Sequence, residues 1–97
     1  MTEEATPQMP EANFIHFMSN IATQIMLMLG RMENPITKTT EIDLPHAQYL
    51  LDTMVVIQEK TKGNLMKAEE EVLSQMLYDL RIQFVEVQQA EAKETSS

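Results

Sequence analysis

Gln58-Glu59-Lys60-Thr61-Lys62-Gly63-Asn64-Leu65, followed by the acidic run Glu69-Glu70-Glu71 and then by Leu77-Tyr78-Asp79-Leu80-Arg81-Ile82-Gln83-Phe84-Val85-Glu86, decides the fold. Lys60 and Lys62 suit the carbonyl end of a helix, and Gly63 suits the left-handed position that stops one. The three glutamates suit the amide end of the next helix, where negative charge is favourable. From there Val72, Leu73, Met76, Leu80, Phe84 and Val87 recur at helical steps and face one way. Tyr78, Ile82 and Val85 follow i, i+4, i+7 spacing on nearly the opposite side. A helix with two apolar faces is more than one short chain easily covers alone.

Upstream, Phe14, Phe17, Met18, Ile21, Ile25, Met28 and Leu29 share a face of a helix closed by Gly30. Asp43 is a good N-cap for a second helix, with Pro45 tolerated in its first turn. Ala47, Leu50, Leu51, Met54 and Ile57 form that helix's apolar face. The expected fold is therefore all-α, with helices over about 12–29, 44–62 and 66–90. Asn34-Pro35 and the β-branched Thr37–Ile42 stretch read as a long connector over 31–43, with room for a short strand at 39–42. Residues 1–11 and 91–97 read as disordered tails around a single domain over 12–90, the first of them acidic.

Composition narrows the function. The chain has 97 residues, enough for one domain with a modest core. Fifteen acidic and seven basic residues give a net charge of -8, which repels phosphate backbones and argues against nucleic-acid binding. Lys60, Lys62 and Lys67 are the only basic cluster, and acidic residues surround them. The absence of cysteine excludes disulfides and thiol chemistry. The acidic start does not resemble a signal peptide, and the most apolar stretch carries His16, Ser19, Asn20, Thr23 and Gln24, too polar to lie in lipid. These features point to a soluble cytoplasmic protein without a membrane partner.

The residues of the two quoted blocks, together with Phe17-Met18-Ser19-Asn20-Ile21-Ala22, Leu29-Gly30, Asn34-Pro35, Leu44-Pro45 and Leu51-Asp52, resemble an uncharacterised bacterial family, domain of unknown function 1844. The resemblance runs from about Phe14 to Glu86 and implies a small, mostly helical bacterial protein. It implies no activity. Two positions depart from the family pattern. Met66 stands where members usually have a capping Thr, leaving Asn64 as a substitute cap, and Lys38 stands where the connector often has Gly.

Between Ala12 and Gly30 there is no charged residue. A surface helix normally carries a charged outer stripe, so this one is expected to be contacted from more than one side. The simplest partner is a second copy, and a two-fold dimer is the commonest closed assembly. Phe17, Ile21, Leu27 and Met28 on the first helix and Tyr78, Ile82 and Val85 on the third are the candidate interface. The competing reading is a monomeric three-helix fold with an exposed apolar patch.

Chemistry is hard to find. His16 and His46 lie on different helices in no paired-ligand motif, so a metal is not expected. Consecutive glutamates on a helix splay by about 100° each and do not converge. Asp79 and Arg81, two apart, cannot face each other; with Asp52 they are candidate structural pairings, Arg81 reaching Asp52 or a carboxylate of another subunit. No nucleophile–base pair and no phosphate loop is readable, so neither an enzyme nor a cofactor is expected. The preferred reading is a non-enzymatic helical module that self-associates and binds a protein partner. The alternative is a binder of small apolar ligands in a Met-lined space between helices.

Overall fold

A computed structural model describes residues 11–96. Apart from Glu11, the expected N-terminal tail lies outside the described residues, as does Ser97. The described residues form three helices, α1 (Phe14–Met28), α2 (Leu44–Lys60) and α3 (Lys67–Ser96), each touching the other two. Among the described residues there is no strand.

Each start has a local cause. The Asn13 side chain accepts from the His16 N–H at 3.0 Å and sets the first turn of α1. Asp43 does the same for α2, accepting from the His46 N–H at 3.1 Å, with Pro45 in the first turn. At α3 Met66 stands in the cap position. Its own N–H donates to Glu69 Oε1 at 2.9 Å, which is one half of a capping box. The other half needs a side-chain acceptor at position 66, which methionine lacks. Asn64 does not replace it: its N–H donates to the Thr61 carbonyl at 2.9 Å, and it makes no other hydrogen bond within the described residues.

The ends differ in mechanism. Gly30, at φ 72°, closes α1 with two reciprocal bonds. The Arg31 N–H reaches the Met26 carbonyl and the Gly30 N–H reaches the Leu27 carbonyl, the Schellman pattern. Helix α2 ends two residues earlier than the expected Lys62. The Thr61 hydroxyl donates back to the Ile57 carbonyl at 2.7 Å, and Thr61 to Asn64 then form a separate turn. Gly63 is the third residue of that turn, at φ 87°, rather than the helix stop itself. Helix α3 runs through Ser96 instead of ending near 90, so the expected C-terminal tail is helical up to that point. Gln88 to Glu94 contain only strong helix formers, without Gly or Pro, which explains the extension.

The connector is a clamp rather than a strand. The Asp43 N–H donates to the Met28 carbonyl at 2.7 Å, and Leu29 and Ile42 form a single antiparallel bridge. One bridge has no neighbouring ladder to extend it, so no strand develops at 39–42. Between these tied ends, the Asn34 side chain accepts from the Ile36 N–H at 2.8 Å, and the Asn34 N–H donates to the Thr39 carbonyl. Lys38 completes the turn at φ 62°, among the described residues the one non-glycine with positive φ. It is the position where the resembled family often has Gly, and glycine takes that conformation without steric cost.

The core is narrow. Met18, Ile25 and Leu29 from the first helix and its cap meet Ala47, Leu51 and Met54 of α2. Helix α3 contributes Leu73, Leu77, Leu80, Phe84 and Val87. These five alternate four and three residues apart, the spacing of a coiled-coil seam. That spacing brings in Leu77 and leaves Val72 outside, although the simpler helical count places Val72 in the core face. At 30 residues α3 is about 45 Å long, and its buried positions span only its middle half.

Candidate functional site

Helix α3 carries its second apolar face in full view. Tyr78, Ile82 and Val85 are 62%, 42% and 46% exposed. They lie opposite the Leu77–Leu80–Phe84 seam because 78, 82 and 85 fall roughly 150° around the helix from it. Together with Arg81 and Glu86 they line an open surface cleft whose accessible lining is almost wholly apolar. Solvating that strip costs the free chain roughly 25 cal/mol per Å².

The two flanks of the strip carry opposite charges. Arg81 borders it on the α2 side, where it also lines a groove with Asp52, Val55 and Gln88. Within the described residues the Arg81 side chain makes no hydrogen bond or ion pair. The expected Asp52–Arg81 contact is absent. Asp52 accepts instead from Gln48 at 2.9 Å, and Asp79 accepts from Gln75 at 3.0 Å. Both glutamines sit one turn earlier on the same helix, where i, i+4 neighbours meet without reaching across a groove. On the other flank Glu86 Oε1 accepts from Arg31 Nη2 at 3.0 Å, tying the end of α1 to α3.

Helix α1 behaves differently from α3. Phe17, Ile21 and Met28 share one flank of it, yet Ile21 and Met28 pack against the core and Phe17 alone stays 55% exposed. Leu27 is half-buried and lines a cleft formed with the connector at Met32, Thr39 and Ile42. The connector thus covers part of a helix that carries no charge, and it does so from within the same chain. Of the seven residues anticipated at an interface, the three on α3 and Phe17 are the exposed ones.

Other exposed apolar groups escaped the sequence reading. Ile36 is 88% exposed at the tip of the connector, and Tyr49 and Val56 stand out from α2. Tyr49 and Val56 are seven apart and off the Ala47–Leu51–Met54 face, a spacing that could have identified them. Glu86 could have been found from its place immediately after Val85. His16 and His46 are both exposed; His46 Nδ1 lies 3.8 Å from its own cap, Asp43. Among the described residues no group of three metal-ligating side chains gathers. Nor is any helix there long and apolar enough to cross a membrane.

The family model described as Domain of unknown function (DUF1844) matches residues 11–86. That span holds all of α1, α2 and the connector, and α3 up to Glu86, the whole charged and apolar strip included. No curated protein and no solved structure matches the chain.

Proposed function

The chain belongs to the family described as Domain of unknown function (DUF1844), a membership that assigns no reaction, and we propose that it acts as a non-catalytic helical module of the bacterial cytoplasm that self-associates through the outer face of α3. One observation carries this reading: Tyr78, Ile82 and Val85 form a continuous apolar strip on the side of α3 turned away from the core. Ile36, Tyr49 and Val56 lie off the strip and remain for a protein partner. The ligand-binding alternative gains no support, because Met18 and Met54 are fully buried and fill the interior such a ligand would need.

The energetics set the strength. Covering six half-exposed side chains, three from each copy, contributes about 6 kcal/mol. Association costs roughly 4 kcal/mol or more in lost freedom. The strip alone therefore leaves about 2 kcal/mol, dissociation in the tens of millimolar, so the self-association proposed here, in the micromolar range, draws on further contact along α3 beyond these three residues. Light scattering across a concentration series tests this. The average mass rises toward two chains in the native protein, whereas Ile82→Asp stays at one chain with unchanged helicity. A native chain that keeps a single-chain mass into the high micromolar range overturns the reading.

A further inference from the structure

We infer that the second copy packs against α3 in parallel, with Arg81 of each chain paired to Glu86 of the other; this rests on the self-association reading above. The register comes from the strip itself. Tyr78, Ile82 and Val85 are spaced four and three apart, so Ile82 takes an a-type position and Tyr78 and Val85 take d-type positions of a short coiled coil. Arg81 then occupies the g position before Ile82, and Glu86 the e position after Val85. In a parallel pair a g residue meets the e residue five places further along the partner helix. From Arg81 to Glu86 is five places.

The orientation follows from symmetry. The cation lies on the α2 flank of the strip and the anion on the α1 flank. A two-fold axis parallel to the helices sets unlike flanks together and forms two Arg81–Glu86 contacts. A two-fold axis perpendicular to them sets like flanks together; centred near Ile82, it brings Arg81 against Arg81 and Glu86 against Asp79 of the other copy. In a chain of net charge -8 the second arrangement gains nothing to offset its repulsion. The Arg81 side chain is free for the contact, having no partner within the described residues. Glu86 keeps capacity for it, since only its Oε1 is engaged by Arg31. Beyond the strip the same seam continues through the exposed Gln89 and the small Ala92, so the parallel contact can extend along α3.

The chain has no cysteine, so single substitutions report the geometry without background. Gln75→Cys and Gln89→Cys both lie exposed on the seam, one heptad before and after Ile82. A short bis-maleimide is added to each variant alone and to their mixture, while light scattering records mass. Parallel packing cross-links each variant with itself. Perpendicular symmetry centred near Ile82 places like positions about 21 Å apart and cross-links only the mixture, which overturns the inference while leaving self-association standing. A dimeric mass with no cross-link in any arm also overturns it, and a monomeric mass refutes the underlying reading instead. Arg81→Gln gives an independent sign. It raises the dimer dissociation constant about fivefold if the Arg81–Glu86 contacts exist, and it lowers that constant if arginines face each other.

Discussion

Gly30 and Gly63 both sit at positive φ, but their surroundings differ enough to separate two costs that usually come together. An alanine Cβ in the left-handed region costs about 1–2 kcal/mol. Removing glycine's freedom from the unfolded chain returns about 0.4–1 kcal/mol at either site. At Gly63 nothing lies within 4 Å of the added Cβ, so Gly63→Ala is expected to destabilise by about 1 kcal/mol from backbone strain alone. At Gly30 the Cβ meets Ile42 Cγ1 at 2.8 Å, well inside the usual 3.5–4.0 Å carbon separation. Cγ1 is next to the branch point of a stiff β-branched side chain, so relief requires the Leu29–Ile42 bridge to open or Ile42 to change rotamer. That adds about 1–2 kcal/mol, and Gly30→Ala should destabilise by about 2–3 kcal/mol in total. Urea denaturation followed by far-ultraviolet circular dichroism, at one fixed protein concentration, measures both. Adding Ile42→Ala to Gly30→Ala should return about 1 kcal/mol as a coupling energy. Equal losses for the two glycine variants, or strict additivity with Ile42→Ala, would show that the close approach does not constrain the connector.

Met66→Thr supplies the missing acceptor to a half-built capping box and should raise stability by about 1 kcal/mol, or roughly 4–8 °C in a thermal melt; with Glu69→Ala in the background part of that gain should vanish. Lys38→Gly should stabilise by about 0.5 kcal/mol, because relief of the left-handed strain exceeds the extra unfolded-state entropy. Lys38→Ala keeps the strain and should show no gain in the same chemical denaturation series.

Helix identity was legible because the apolar periods and the stops lie in the chain itself. Asp43 capped α2 as its side chain and Pro45 suggested, and Ala47, Leu51 and Met54 were readable as core. What the sequence did not disclose depended on contacts far along the chain. Leu77 became core because the α3 seam follows the four–three alternation of helices packed side by side, rather than the simple count that favoured Val72. Leu27 found cover from the connector, which periodicity within α1 cannot reveal. Asp52 and Asp79 turned to Gln48 and Gln75, since a neighbour one turn away needs no tertiary alignment. Helix α3 outlasted the expected end at 90 because polarity alone does not end a helix whose residues favour it. The Tyr78–Ile82–Val85 strip was visible from spacing, whereas the opposite charges on its flanks gained meaning only once both neighbouring helices were placed.

The Asp43–Met28 bond and the Leu29–Ile42 bridge hold the two ends of the connector together before any of its middle residues contribute. The stretch from Glu33 to Thr40 thus hangs from a closed neck, almost all of it exposed. Lengthening such a tethered stretch costs little, since doubling a flexible segment adds only about 0.6 kcal/mol of closure entropy. The molecule therefore offers a graftable handle between its first two helices, where a peptide epitope or a fluorophore-bearing insert can be spliced in without disturbing the arrangement on either side.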